Sequence, residues 1–327
     1  MQILLCTREI ITGGGEVFLR DLANELKSLG YQVRIRCHSN AGINNLAPNI
    51  DKIGFYKFSG VSRVIANDFR SLWMSFFLSP TAKRAFVVHG RWQISRIRVL
   101  ICYLSFTKVI CVSEALSNHA KKLSYINKNF PTINLAPVRS IRYSTKKAFQ
   151  FFDLKGVEFR VGNIARLDPI KNLLLYSNFI DSLLTQGHSI DASLLTFKPQ
   201  NTQEKQILDS LSSNIKIYHE DKPHDYLQNI DVLVSTSMYE SFGYSLVESL
   251  MSGVPVFTTA EEGPREFLIG ELAKGYSPGI FNVNDLTNKF LEFRTKVDRL
   301  RYNEDAERLL TLRSVSNMTS QVLRILK

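Results

Sequence analysis

Residues 231–256 read Asp-Val-Leu-Val-Ser-Thr-Ser-Met-Tyr-Glu-Ser-Phe-Gly-Tyr-Ser-Leu-Val-Glu-Ser-Leu-Met-Ser-Gly-Val-Pro-Val. The apolar run 232–234 predicts a buried strand. Small and polar residues then break it. Gly243 opens a helical pattern whose apolar side carries Leu246, Val247, Leu250 and Met251. Gly253 stands where a helix-ending glycine belongs, and Pro255 keeps the helix from continuing. Residues 254–257 begin the next strand. A strand–loop–helix–strand order of this kind belongs to a parallel sheet.

Two acids mark the stretch. Glu240 lies in the loop at the strand's carboxyl end, and Glu248 lies inside the helix among apolar neighbours. Ligands of open α/β sheets bind at the carboxyl ends of the strands. A carboxylate accepts two hydrogen bonds from a vicinal diol such as a ribose, and the N–H groups at a helix start favour phosphate. The pattern points to a nucleotide. Each acid also has a plainer reading, Glu240 as a helix cap and Glu248 as a solvated helix residue.

Glu-x7-Glu, with Phe-Gly after the first Glu and Gly-Val-Pro-Val after the second, resembles the donor-site signature of retaining glycosyltransferases of the GT-B fold. It is most similar to glycosyltransferase family 4, the glycosyl transferases group 1. The resemblance implies an α/β chain of two Rossmann-like domains, with parallel sheets facing across a cleft. It also implies that Glu248 holds the ribose. Glu240, Ser241, Phe242, Gly243 and Tyr244 would surround the donor.

The length of 327 residues suits two domains, and 44% hydrophobic residues suffice for two cores. The net charge of +11 is unevenly placed. Residues 1–150 hold 22 Lys and Arg against 7 Asp and Glu, while residues 151–327 hold 19 against 23, leaving +15 and −4. A basic first half suits an anionic membrane face, an anionic acceptor or nucleic acid, or serves solubility alone. Without zinc-finger spacing or a single-strand-binding aromatic signature, nucleic acid is not expected as a partner. Cys6, Cys37, Cys102 and Cys111 sit in apolar surroundings without Cys-x-x-Cys spacing and read as buried free thiols of a reducing compartment. The start of the chain lacks a signal-peptide pattern, and no apolar run approaches the ~20 residues of a spanning helix. The expectation is a cytoplasmic protein, peripheral on the inner membrane face.

From the amino terminus, residues 2–6 predict a strand. Thr12-Gly13-Gly14-Gly15 predicts a loop, followed by a helix with Phe18, Leu22, Leu26 and Leu29 on one face and then a strand at 33–37. Gly14 and Gly15 let backbone approach a ligand, or make a plain tight turn. The resemblance assigns this loop to the donor phosphates and the acceptor. Strands are predicted near 53–58 and helices near 61–78. The apolar cluster at Leu72, Trp73, Met74, Phe76, Phe77 and Leu78 reads as core helix ahead of a membrane-inserting patch.

The strand 85–88 ends in His89-Gly90. An imidazole there is placed to donate a hydrogen bond or shuttle a proton, or is a satisfied structural histidine. The resemblance puts His89 against the donor sugar. Lys83, Arg84, Arg91 and Arg96 read as an acceptor or lipid head-group contact, or as a solvated face. Residues 109–114 resemble the family's strand ending in Val-Ser-Glu. Residues 139–156 read as the interdomain connection.

In the second half, the strand 159–164 runs into Arg166-Leu167-Asp168-Pro169-Ile170-Lys171-Asn172. Two cations at a strand-to-helix loop can clamp a diphosphate and oppose the charge of a nucleotide leaving group. The segment from Gly162 resembles the family's Gly-x-x-x-Arg-Leu…Lys element, with Asn172 in place of a common Gly. The family places backbone near 218–221 beside the base. Glu262-Gly263-Pro264-Arg265-Glu266 resembles the Gly-Gly-x-x-Glu turn, keeping only its second Gly and its Glu.

The expected domains are 1–150, acceptor-binding, and 157–311, nucleotide-sugar-binding. A helix at 312–327 is expected to return to the first domain. The expected enzyme is a metal-independent retaining glycosyltransferase. Its catalytic residues would be His89, Arg166, Lys171 and Glu240, and no cofactor is expected beyond the nucleotide-diphosphate sugar donor. The acceptor would be a glycan, lipid-linked or phosphorylated, in cell-surface polysaccharide, lipopolysaccharide or glycolipid synthesis. The alternatives are an epimerase-like GT-B nucleotide-sugar enzyme and a non-catalytic GT-B partner subunit.

Overall fold

The computed structural model describes residues 2–7, 14–37, 51–52, 60–124, 130–133, 158–219 and 223–327. The expected strand near 53–58 and the expected connection at 139–156 lie outside these residues. The chain divides into two compact units: Met1–Arg139 with Leu312–Lys327, and Ser140–Thr311.

The first unit is built on six parallel strands: β1 (Gln2–Thr7), β2 (Gln32–Cys37), β3 (Asp51–Lys52), β4 (Val61–Ala66), β5 (Lys83–Val88) and β6 (Lys108–Cys111). Their order is β3-β2-β1-β4-β5-β6. The chain leaves β1 in one direction, then returns and continues from β4 in the other, so the switch point lies between β1 and β4. Residues 61–66 form a strand, where a helix was expected. Val61, Val64 and Ile65 are β-branched and buried, which favours extended backbone.

Four helices cross over between these strands or follow them: α1 (Gly14–Ser28), α2 (Phe69–Leu78), α3 (Arg96–Leu104) and α4 (Glu114–Leu123). Helix α1 buries Phe18, Leu22 and Leu26 at helical spacing. It already includes Gly14 and Gly15, which were expected in a loop. Ser113 caps α4, its Oγ accepting from Leu116 N–H. Helix α2 buries Leu72, but Trp73 and Phe77 are exposed, so the apolar cluster there is only partly core.

The second unit holds a five-stranded parallel sheet of β7 (Phe159–Ile164), β8 (Ile190–Leu195), β9 (Ile215–Tyr218), β10 (Val232–Ser235) and β12 (Val256–Thr258), in the order β12-β10-β7-β8-β9. A small parallel pair, β11 (Tyr239–Glu240) and β13 (Glu261–Glu262), stands beside it. The switch point here lies between β7 and β10. The helices are α5 (Leu173–Thr185), α6 (Thr202–Asp209), α7 (Pro223–Leu227), α8 (Tyr244–Met251), α9 (Val283–Lys296) and α10 (Arg299–Leu312). Phe290 of α9 meets Phe159, Phe179 and Phe257 with ring centroids 5.1–6.2 Å apart, tying helix to sheet. At the amino end of β7, Asp231 takes Arg160 as a bidentate partner at 2.6 and 3.1 Å.

The last helix, α11 (Val315–Leu326), packs on α1 within the first unit. It buries Val315, Met318, Val322 and Leu326. Each such side chain contributes about 1.5–3 kcal/mol when fully buried. Arg63 Nε donates to Leu326 O at 3.2 Å, and Lys83 Nζ donates to Lys327 O.

Candidate active site

In the second unit, the predicted donor residues gather where the sheet reverses direction. β7 leads into residues 165–172, and β10 leads into residues 236–243. Backbone and hydroxyl bonds join the two segments. Met238 N–H donates to Ile170 O at 2.8 Å, and Thr236 Oγ1 donates to Lys171 O and Asn172 O at 3.2 and 3.0 Å.

Local chemistry sets the first segment. Asp168 accepts from Ile170 N–H and caps a single 3-10 turn, Pro169–Lys171. Asn172 then takes φ 47° and ψ 48° before α5 starts. That left-handed conformation suits Gly first and Asn next, which accounts for Asn172 where a glycine is common.

The turn aims Lys171 at Glu240. Nζ and Oε1 are 2.6 Å apart, and both side chains are 16% exposed. Ser237 Oγ donates to the same Oε1 at 2.9 Å. Glu240 does not cap α8, because its cap is Gly243, with no side-chain cap bond. Arg166 is exposed and lies 3.7 Å from Asp168. The two cations of the segment therefore differ: Lys171 is committed to a carboxylate and Arg166 faces water.

Gly243 has φ 92°, a conformation that lets the chain turn directly into α8. Ser241, Phe242, Gly243 and Tyr244 thus stand at a helix start, where backbone N–H groups lack intrahelical partners. Phe242 packs on Tyr244 and Phe267, with ring centroids 5.2 and 5.5 Å away. Glu248, in the second turn of α8, is 9% exposed, so it is not a solvated helix residue. Beneath the loop lies Gly263. A Cβ there would stand 2.6 Å from Ser241 O and Phe242 N, so only glycine fits. Gly263 shapes the loop that enters α8. The signal for it was the surviving second Gly of the turn, whose partner across the loop was not legible. Glu262 takes φ 78° and ψ −102° and pairs in register with Glu240. Near the expected base region, His219 Nδ1 lies 3.1 Å from Thr196 O, while residues 220–221 lie outside the described residues.

In the first unit, Gly15, Asn67 and His89 meet at the carboxyl ends of the strands. Asn67 Nδ2 donates to Gly15 O at 2.7 Å, which turns its Oδ1 toward His89 Nε2, 3.1 Å away. Oδ1 only accepts, so Nε2 carries the imidazole proton and Nδ1 is an acceptor. Gln93 closes the network, accepting from His89 N–H at 2.6 Å and donating to Asn67 O at 2.7 Å. Phe18 meets the ring edge-on at 5.3 Å. Burial pushes the His89 pKa down to about 4. Burial thus favours the neutral imidazole. Asn67 and Gln93 carry no motif and were missed.

Of the four basic residues assigned to an acceptor, Lys83, Arg91 and Arg96 are exposed. Arg84 is a correction. It is buried, stacks 4.6 Å over Phe76, and donates to Ser75 Oγ, Ser75 O, Ala82 O and Ser79 O. Four acceptors converge at the end of α2, and Arg84 satisfies them. Cys6, Cys102 and Cys111 are buried, and burial pushes each thiol up to about 12. Among the described residues, no group of three or more His, Cys, Asp or Glu is arranged to hold a metal ion. No described helix is long and apolar enough to cross a membrane.

Residues 146–306 match the family described as glycosyl transferases group 1. The chain carries a group 1 glycosyltransferase domain. Arg166, Lys171, Glu240, Glu248 and Gly263 all lie within the residues matched. A curated protein similar to part of this chain is the poly(ribitol-phosphate) alpha-N-acetylglucosaminyltransferase of Staphylococcus aureus, 24% identical over 136 residues. That match covers 40% of this chain and 27% of the relative, so the chain meets about a quarter of the relative's length. Two solved structures are similar throughout. HepE of Anabaena, in complex with UDP and glucose, matches at TM-score 0.74 and 17% identity, over 100% of this chain and 99% of its own. A glycosyltransferase from Rickettsia africae matches at TM-score 0.77 and 17% identity, over 100% and 97%. The fold around the group 1 domain is GT-B.

Proposed function

We propose that this chain transfers a sugar from a nucleotide-diphosphate sugar to an acceptor hydroxyl, with retention at the anomeric carbon. The observation that carries the proposal is the Lys171–Glu240 pair at the switch point of the group 1 domain, with a buried Glu248 in the helix that follows. In the proposed step, the anomeric carbon's bond to the diphosphate breaks and its bond to the acceptor oxygen forms. The acceptor proton passes to a departing phosphate oxygen.

Arg166 and Lys171 oppose the charge gathering on that phosphate. Glu248 holds the ribose. Glu240, with the backbone of Phe242 and Gly243, orients the sugar. His89 offers Nδ1 to a sugar hydroxyl. No metal is needed, because cations and a helix start supply the positive field. We further infer a lipid-linked or phosphorylated glycan as acceptor, in cell-surface polysaccharide or glycolipid synthesis. The work is done at the cytoplasmic face of a membrane. The +15 of residues 1–150 supports an anionic partner.

The test is thermal stabilisation by a panel of nucleotide sugars. UDP sugars head it, because HepE was solved with UDP and glucose. One nucleotide is expected to raise the midpoint of the wild type and to leave Glu248→Ala unmoved. Transfer to a hydroxyl acceptor, followed by NMR of the anomeric proton, then reads retention. No stabilisation by any nucleotide at millimolar concentration sinks the proposal.

A further inference from the structure

The donor-site geometry leaves one unusual surface of the first unit unused. Helices α2 and α3 sit side by side, Arg98 of α3 lying 5.4 Å over the Phe69 ring of α2. Both are crossovers between strands that advance in one direction, β4 to β5 to β6, so right-handed connections put them on the same face of the sheet. Helix α3 buries Val99 and Cys102. Its opposite side carries Ile97, Leu100 and Leu104 in one stripe, and all three are exposed. On α2, Trp73 and Phe77 are exposed and meet edge-on at 6.2 Å.

The turn after α3 adds Phe106. Thr107 N–H donates to Cys102 O at 2.8 Å and Phe106 N–H to Tyr103 O at 3.1 Å, the pattern of a helix ended by a left-handed residue. Glycine normally fills that position. Here it is a phenylalanine at φ 55°, 91% exposed. The fold thus holds a large apolar ring in water, in backbone geometry that a Cβ disfavours. Neither folding nor solubility gains from it.

Charge decides what covers this face. Residues 69–113 contain no Asp or Glu and, besides the buried Arg84, six Lys and Arg. Arg70, Arg91, Arg96 and Lys108 are exposed. A second copy would set like charge against like. A soluble polyanion would satisfy the cations and leave the apolar stripe in water. Phosphate head groups over an acyl boundary satisfy both. We propose that the outer face of α2 and α3, with the Phe106 turn, docks in the plane of an anionic lipid bilayer, Phe106 and the α3 stripe entering the acyl boundary. This rests on the membrane-surface part of the proposed function and names the face that serves it.

The full chain is tested by co-sedimentation with phosphatidylcholine vesicles, with and without phosphatidylglycerol. The wild type is expected to bind the anionic vesicles, with binding weakened by salt. Phe106→Gly and Ile97→Ser/Leu104→Ser are each expected to lower that binding at least fivefold. Phe106→Gly is expected to unfold at the same temperature as the wild type or higher, which separates lost docking from lost folding. Ile269→Ser, an exposed apolar residue of the second unit, is expected to bind as the wild type does. Unchanged vesicle binding by both α3 variants overturns the proposal. So does a wild-type dimer that these variants dissociate, or full competition by soluble polyphosphate. If the wild type binds no vesicle, the membrane part of the proposed function falls with it. Nucleotide stabilisation, read on the same samples, still stands or falls alone.

Discussion

Lys171 Nζ lies 2.6 Å from Glu240 Oε1, linking the segment after β7 to the segment after β10. The cation assigned to the diphosphate and the carboxylate assigned to the sugar neutralise each other. Removing one partner leaves the other charge in a site only 16% exposed. Lys171→Met is expected to cost about 1–3 kcal/mol, less than at a fully buried pair. Adding Glu240→Gln is expected to cost less than the sum of the single changes, because no stranded charge remains. Urea unfolding of the four chains measures this. Additive losses would show that the pair is not coupled.

Glu262 takes φ 78° directly before Gly263, at the position where the resembled turn carries its first glycine. A side chain there strains the backbone by about 1–2 kcal/mol. Glu262→Gly is expected to raise the thermal midpoint by about 2–4 °C for each kcal/mol recovered. Glu262→Ala keeps the Cβ and is expected to gain nothing. A scanning calorimetry trace for each variant decides it, and equal midpoints would sink the strain account.

What the sequence made legible was chemistry with a local cause. Gly243 and Gly253 were readable as the glycines that open and end a helix, and both have positive φ. Asn172 was readable as a tolerable substitute for glycine because left-handed backbone admits asparagine. The strand–helix alternation was legible because apolar runs and helical spacing alternate along the chain. Contacts made only in three dimensions were not legible. Arg84 sits among other basic residues in sequence, and nothing there signals that four acceptors converge on it. Asn67 stands 22 residues from His89, and its amide geometry is fixed by Gly15. The strand at 61–66 was hidden by its mixture of polar and β-branched residues beside a strongly helical segment.

The burial of Arg84 separates two adjacent cations. Its guanidinium donates four hydrogen bonds and burial pulls its pKa down, whereas Lys83 is exposed. Arg84→Met strands the acceptors of Ser75, Ser79 and Ala82. It is expected to cost about 2–4 kcal/mol. Arg91→Ala, at an exposed cation, is expected to stay within about 0.5 kcal/mol of the wild type. Guanidinium chloride unfolding compares the two, and a stable Arg84→Met would return Arg84 to the surface cations.

His89 makes the pH prediction. Its pKa falls from 6.5 to about 4 because burial disfavours the imidazolium. Between those values the unfolded chain binds a proton that the folded chain does not. The contribution is therefore fully present above about pH 6.5 and is lost as pH falls toward 4. The wild type is expected to lose stability over that interval more steeply than His89→Gln, which has nothing to titrate. Asn67 meets the ring at Nε2 and is itself held by Gln93, so Asn67→Ala is expected to move the titration upward by loosening the enclosure. Imidazole NMR shifts read the pKa directly. A His89 resonance titrating near 6.5 in the wild type would show that the ring is solvated and that the neutral, Nε2-protonated acceptor is not the resting form.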